Sequence, residues 1–133
     1  MADLIDKIAW IHLEERRLLV ARNTGRERFY LPGGKREPGE SDVETLVREL
    51  DEELAVAVAP ETALHVGTFE APADARTDGL LVRLTCYTAV HTGRLAPSRE
   101  VEELAWVTAA DGDRVSAVDR LVLAHLHDAD LID

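Results

Sequence analysis

Residues 34–56 read GKREPGESDVETLVRELDEELAV, and this stretch decides most of what can be inferred about the fold and its use. Glu49, Glu52 and Glu53 are spaced i, i+3 and i+4, so on an α-helix they share one face. Like charges at this spacing destabilise an isolated helix by about 0.2–0.5 kcal/mol per pair. A helix selected for stability alone would avoid them, whereas a helix that holds hard divalent cations needs such oxygen ligands.

The opposite side of the same segment is apolar. Its apolar residues recur at three- and four-residue intervals and form one stripe: Val43, Leu46, Val47, Leu50 and Leu54. Ser41 to Glu44 has the S-x-x-E form of a capping box, and Pro38-Gly39 before it is typical of a turn. We therefore expect a loop and then a capped helix, with the apolar side in the core and the acids facing outward.

The acids alone do not identify a site, because acid-rich helix faces are usually solvated and 26 of the 133 residues are Asp or Glu. The full spacing is more specific. It resembles the signature of the Nudix hydrolases, the MutT family: G, five residues, E, seven residues, then R-E-U-x-E-E-x-G-U, in which U is aliphatic. The residues in register are Gly34, Glu40, Arg48, Glu49, Leu50, Glu52, Glu53 and Val56, after the lead-in Leu31-Pro32-Gly33-Gly34-Lys35.

One position departs from this signature, since Ala55 stands where the family has glycine. The place just past a helix end commonly requires a left-handed residue, a conformation that glycine adopts freely. Alanine in that conformation costs about 1 kcal/mol. Because Ala55 carries no ligand group, we expect a local change and no loss of catalysis.

Length and composition predict a single domain over residues 1–133, large enough to bury a core. With 46% hydrophobic and 31% charged residues, the chain matches neither a disordered nor a membrane protein. No apolar run reaches the roughly 20 residues of a membrane helix, and the first residues lack the pattern of a secretion signal. Cys86 is the only cysteine, so no internal disulfide can form, and we expect a cytoplasmic protein.

The formal net charge of −11 argues against a nucleic-acid polymer as the partner, because a phosphate backbone requires basic surface. A small nucleotide is still compatible with this charge if Mg²⁺ or Mn²⁺ bridges the protein carboxylates and a polyphosphate. The plainer interpretation is that the charge only keeps the protein soluble.

The order of elements predicts an α/β protein with a mixed β-sheet and helices packed on both faces. This order is similar to the Nudix fold, an α/β/α sandwich. Hydrophobic periodicity predicts a second helix over Val115–Leu126. It predicts strands over Lys7–Leu13, Arg17–Ala21, Phe29–Leu31, Ala55–Ala59, Leu64–Phe69, Leu80–Val90 and Val101–Val107.

The resemblance implies roles for the motif residues. The carboxylates of Glu49, Glu52 and Glu53 would bind the metal ions together with the backbone carbonyl of Gly33, and Arg48 would orient a neighbouring glutamate. An exposed pairing between Arg48 and Glu52 is equally compatible with the sequence. We interpret Glu40 as support between the loop and the helix, or as an outer acid.

Family members also supply an acid from a loop near the final strand. Glu100 is the candidate for metal contact or for the general base, with Glu103 second. Ser116 to Asp119 reads as a second capping box, which we favour over a base-reading role for that acid. The candidates for substrate contact are Lys35 and Arg22 toward phosphate or ribose, and Arg83 and Tyr87 along one strand face of the cleft.

The leading hypothesis is a Mg²⁺- or Mn²⁺-dependent pyrophosphohydrolase acting on a nucleoside diphosphate linked to another moiety, such as a dNTP, ADP-ribose or a nucleotide sugar. The alternative is a nucleotide-binding sensor or regulatory domain that kept the fold and lost turnover; the complete acid set speaks against it. An isomerase acting on diphosphate lipids would need more catalytic groups than Cys86 offers. The resemblance also makes a homodimer plausible.

Overall fold

The computed structural model describes residues 3–73 and 79–133. In these ranges the chain forms nine strands, two α-helices and two short 3₁₀ helices, Pro60–Thr62 and Ala109–Arg114. The helices are α1 (Asp42–Leu54) and α2 (Ala117–Asp128). The strands are β1 (Leu4–Trp10), β2 (Leu13–Glu14), β3 (Arg17–Asn23), β4 (Gly33–Lys35), β5 (Ala57–Val58), β6 (Leu64–Pro72), β7 (Leu81–Thr88), β8 (His91–Thr92) and β9 (Val101–Val107). No helix among the described residues is long and apolar enough to cross a membrane.

The main sheet has four strands in the order β4-β1-β7-β6 and is mixed. Strand β1 pairs with β7 in parallel and with β4 antiparallel, and β6 pairs antiparallel with β7. A second, antiparallel sheet has the order β2-β3-β9, and β5 pairs with β8. The α/β class and the mixed sheet predicted from the sequence are confirmed.

Side-chain alternation along β1 separates two hydrophobic cores. Ile8 and Trp10 pack with the α1 residues Leu46, Leu50 and Leu54. Ala9 points the other way and packs with the α2 residues Val118, Val122, Leu123 and Leu126. Because successive strand residues face opposite sides of a sheet, this alternation places one helix on each face. The result is the expected α/β/α sandwich.

The first helix follows its sequence signals closely. The Ser41 hydroxyl accepts a hydrogen bond from the Glu44 amide at 3.1 Å, and the Glu44 carboxylate accepts one from the Ser41 amide at 2.9 Å. The capping box is therefore confirmed. Ala55 ends the helix with φ 57° and ψ 36°, so the predicted left-handed conformation is also confirmed.

The strand predicted over residues 29–31 is wrong. Phe29 and Tyr30 make only isolated bridges, to Val115 and Ala21, and the strand that pairs with β1 on this side is instead β4. Gly33 has φ 146°, and a Cβ there would lie 2.0 Å from the Ile8 carbonyl oxygen. Glycine thus allows the backbone to approach β1 where no side chain fits. Two other boundaries shift as well: α2 begins at Ala117, and the predicted strand 80–90 ends at Thr88, before the separate short strand β8.

Candidate active site

Glu53 is the most deeply buried acid of the motif, with 8% of its surface exposed. Its Oε1 accepts a hydrogen bond from the Gly33 amide at 3.0 Å, which ties the end of α1 to β4. Burial raises the pKa of Glu53 to about 8, and repulsion from Glu49 and Glu100 adds to the rise; the Gly33 amide and Lys7 oppose it. A carboxylate here is therefore costly to ionise unless positive charge arrives.

Glu49 lies beside it, with 15% of its side chain exposed. Burial raises the pKa of Glu49 as well, while a hydrogen bond from Arg48 opposes this rise. The Glu49 carboxylate sits directly over Gly34, where an added Cβ would lie 2.4–2.7 Å from its carboxyl atoms. Gly33 therefore leaves space for the backbone of the neighbouring strand, and Gly34 leaves space for the Glu49 carboxylate.

Arg48 connects the acids to the preceding loop. Its Nε and Nη2 donate to the two oxygens of Glu40 at 2.7 and 2.9 Å, and Nη2 also donates to the Lys35 carbonyl oxygen at 3.0 Å. Its Nη1 donates to Glu49 at 2.9 Å and lies 3.6 Å from Glu52, whose side chain is 33% exposed. Arg48 thus lies close to both Glu49 and Glu52, and its shortest contacts are to Glu40 and Glu49.

Glu40 sits between the loop and the helix. Besides Arg48, it accepts hydrogen bonds from the Glu37 amide at 2.8 Å and the Thr45 hydroxyl at 3.1 Å. The Arg48 hydrogen bond, followed by that of the Glu37 amide, lowers the pKa of Glu40 to about 2. These contacts fit a supporting role better than a metal-binding one, because the carboxylate is already neutralised.

The two loop acids are separated by the structure. Glu100 precedes β9, and its negative charge raises the pKa of both Glu49 and Glu53, so it belongs electrostatically to the acid cluster. Glu103 lies on β9 and forms an ion pair with Arg22 at 3.0 Å. Of these two candidates, the structure brings only Glu100 toward the motif acids.

The four predicted substrate contacts do not converge. Arg22 pairs with Glu102 and Glu103, and Arg83 donates to Glu70 at 3.1 Å. The Tyr87 hydroxyl donates to Asp42 at 2.8 Å. Tyr87 packs in the α1 core, and alternation along β7 places Arg83 on the same face. Lys35 lies at the exposed end of β4 and contributes its carbonyl oxygen to Arg48.

A cleft of about 670 Å³ opens on the other face of the sheet, toward α2. At one end it reaches Gly33 and Glu53, and its apolar walls include Val82 and Leu84, which alternate with Arg83 on β7. Arg83 and Tyr87 therefore lie on the face of β7 opposite to this cleft. Alternation shows two faces without telling which one meets a cavity. Lys7, Asn23 and Tyr30, which the sequence did not single out, line the cleft. A charged residue directly before the apolar run of β1 was the available signal for Lys7.

The second capping box, predicted at Ser116 and Asp119, is wrong. Ser116 makes no side-chain hydrogen bond to the helix backbone; its hydroxyl donates to the Asp119 carboxylate. Asp119 is 1% exposed and also accepts a hydrogen bond from the Leu31 amide at 3.1 Å. Its carboxylate turns inward because it joins α2 to the segment that leads into β4.

The acid cluster offers a set of oxygen donors to a metal ion. In residues 3–73 and 79–133, no three His, Cys, Asp or Glu side chains already converge as a metal-binding group. The donors gathered here are oxygens only, which suits a hard divalent cation. A cation would also offset the repulsion among Glu49, Glu53 and Glu100. We conclude that the residues fit such an ion, which would draw the carboxylates together.

Comparison with known proteins agrees with this geometry. The model of the NUDIX domain family matches residues 7–126. A MutT protein from Bacillus halodurans has 25% identity and a TM-score of 0.70, covering 92% of this chain and 81% of that one. The ORF135 protein of E. coli, at 24% identity and a TM-score of 0.73, covers 96% of this chain and 94% of that one, and shows the same fold.

A shorter similarity concerns the human 8-oxo-dGDP phosphatase NUDT18, which is 48% identical over 46 residues. That match covers 35% of this chain and only 14% of the human protein. Nudix hydrolases act on small nucleotide substrates and generally use divalent metals. The family model covers nearly the whole chain and the signature acid Glu53 lines the cleft, so the protein belongs to the Nudix hydrolase family.

Proposed function

We propose that the protein is a Mg²⁺- or Mn²⁺-dependent hydrolase that cleaves the pyrophosphate bond of a nucleoside diphosphate linked to another moiety. The observation that carries this proposal is the buried Glu53, held by the Gly33 amide at the end of a nucleotide-sized cleft. A buried acid beside two like charges has little structural advantage. Its position is explained if positive charge and a phosphate group occupy the same end of the cleft.

The chain's own residues divide the work as follows. Glu49, Glu52, Glu53 and the Gly33 carbonyl would hold the metal. The bound ion would neutralise charge on the phosphoryl oxygens and lower the pKa of an attacking water. Arg48 positions Glu49 through its 2.9 Å hydrogen bond, and Glu40 in turn positions Arg48. Glu100, close enough to raise the pKa of Glu53, is the proposed general base or additional metal contact.

We propose a wider set of candidate substrates than the one that human NUDT18 is named for. Human NUDT18 is an 8-oxo-dGDP phosphatase, which makes oxidised guanine nucleotides one candidate. Dinucleoside polyphosphates, ADP-ribose, nucleotide sugars and ordinary dNTPs belong in the same panel. The family match over residues 7–126 supports a single catalytic domain over residues 1–133. We also propose that the protein is cytoplasmic and forms a homodimer.

The test is an activity panel with Mg²⁺ or Mn²⁺, run on the wild type, Glu53→Gln and Glu61→Gln. Glu61 is exposed on a 3₁₀ helix and provides the matched loss of one carboxylate charge. We expect Glu53→Gln to lower kcat by orders of magnitude with the fold intact, and Glu61→Gln to retain wild-type turnover. Equal activity of both variants would contradict the proposed site.

The sensor alternative has one specific observation in its favour. Arg48 already neutralises part of the Glu49 charge through a 2.9 Å hydrogen bond. The same panel decides between the two functions. Tight binding of a nucleotide without cleavage, under every metal tried, would favour a sensor over an enzyme.

A further inference from the structure

Lys7 occupies an unusual position for a lysine. It lies on β1, a central strand of the main sheet, between Leu84 of β7 and Lys35 of β4. Its side chain is partly buried and lines the cleft, with Nζ 5.9 Å from the centroid of the Tyr30 ring. The cation therefore stands on the floor of the cavity and not at its rim.

The Lys7 ammonium has no ion-pair or hydrogen-bond partner among the side chains of residues 3–73 and 79–133. It faces the Tyr30 ring, and its charge also lowers the pKa of Glu53 without forming an ion pair. Removing an ammonium from water without a partner is unfavourable, and a cation–π contact compensates only in part. A bound ligand that brings an oxygen acceptor would complete the compensation.

Two hydroxyl groups of the cleft already have partners. The Tyr30 hydroxyl donates to the Asn23 side-chain oxygen, and the Ser116 hydroxyl donates to Asp119. These two hydroxyl groups and their acceptors are engaged with each other, whereas the Lys7 ammonium donates no hydrogen bond to a described side chain. Its walls at Val82 and Leu84 are apolar and suit the faces of a flat ring.

We propose that Lys7 determines base specificity, by donating to a carbonyl oxygen on the edge of the bound base. This inference rests on the proposed function of the cleft as a nucleotide site. An ammonium carries three donors and no acceptor, so an exocyclic amino group in the same place would face it donor to donor. The cleft then selects 6-oxopurines and 4-oxopyrimidines over their 6-amino and 4-amino counterparts.

The experiment uses two pairs of nucleoside monophosphates that differ at this group: IMP against AMP, and UMP against CMP. Monophosphates contain no pyrophosphate bond, so binding can be measured by calorimetry with Mg²⁺ present. For the wild type we expect the oxo member of each pair to bind roughly tenfold more tightly, which one charge-assisted hydrogen bond supports.

Two substitutions and a control separate base reading from general charge. Lys7→Met should weaken the binding of IMP and UMP only. The affinities within each pair should then differ by no more than about twofold. The amide of Lys7→Gln both donates and accepts, so this variant should also reduce the difference in affinity between the oxo and amino ligands. It also shows whether a polar side chain preserves the fold. Arg94→Met removes one exposed cation outside the cleft and should leave both ratios unchanged.

Two results would overturn the inference. One is that the wild type binds both members of each pair with equal affinity, and the other is that Lys7→Met lowers the affinity for all four ligands by the same factor. The second result would mean that Lys7 contacts the phosphate. Hydrolysis of triphosphates without any oxo preference would refute base selection and leave the proposed function standing. An oxo preference in binding, with no hydrolysis of any panel substrate, would remove the proposed function and support the role of Lys7.

Discussion

At the scale of single residues, Ala55 pays a conformational cost that can be measured. Its φ of 57° is unfavourable for a residue with a Cβ, whereas glycine adopts it freely. We expect Ala55→Gly to raise the free energy of unfolding by about 1 kcal/mol and to leave the metal requirement unchanged. Ala129, which ends α2 with φ −85°, provides the control. Ala129→Gly should not stabilise the protein, because the φ of Ala129 is already negative and suits a residue with a Cβ.

Alanine substitutions at Gly33 and Gly34 should have different effects, one on folding and the other on catalysis. A methyl group on Gly34 would displace only the Glu49 carboxylate, the mobile end of a side chain. We expect Gly34→Ala to change thermal stability little but to lower kcat on the order of 100-fold, since a ligand would be misplaced. Gly33→Ala meets the Ile8 backbone at 2.0 Å and should prevent β4 from pairing. Thermal unfolding and kcat, measured on both variants, distinguish these effects; a folded, fully active Gly34→Ala would contradict the placement of Glu49.

At the scale of elements, the junction between the loop and α1 has a predicted pH dependence. The pKa of Glu40 is lowered from its ordinary 4.5 to about 2, chiefly by the Arg48 hydrogen bond. A lowered pKa in an acid means that its stabilising contribution is fully present above the unfolded value. The contribution is lost as the pH falls from about 4.5 toward 2.

Urea unfolding at pH 6 and pH 3 checks this prediction. Between these two values the wild type should lose more stability than Glu40→Gln, whose amide cannot titrate. Glu61→Gln, an exposed substitution of the same kind, should follow the wild type. If Glu40→Gln and the wild type lose stability equally, the Glu40–Arg48 contact does not carry the acid response.

At the scale of the whole molecule, the net charge of −11 and the acid cluster predict stabilisation by divalent metal. A ligand present at 100 times its Kd stabilises a protein by about 2.7 kcal/mol. We expect Mg²⁺ or Mn²⁺ to raise Tm, and Glu53→Gln to reduce this rise. Sodium chloride at matched ionic strength is the essential control, because screening alone stabilises a strongly charged chain. An equal rise with sodium would argue against a specific site.

Much of the first helix could be read from local sequence. The apolar stripe, the capping box at Ser41 and the left-handed Ala55 all depend on residues within a few positions of one another. The 3.6-residue period and the geometry of a helix end act over that same short range. The signature spacing also identified the family. These features can be predicted without knowledge of any tertiary contact.

Tertiary structure decided which charged groups reach the site. Arg22 pairs with Glu103, 81 residues away in the sequence, because β3 and β9 are paired in that register. Asp119 turns inward because the Leu31 amide, 88 residues distant, needs an acceptor there. The sheet face with the cleft, and with it the role proposed for Lys7, likewise depends on where α2 packs. Local patterns carry no information about such distant partners, since strand register and helix docking are set by burial of the whole core.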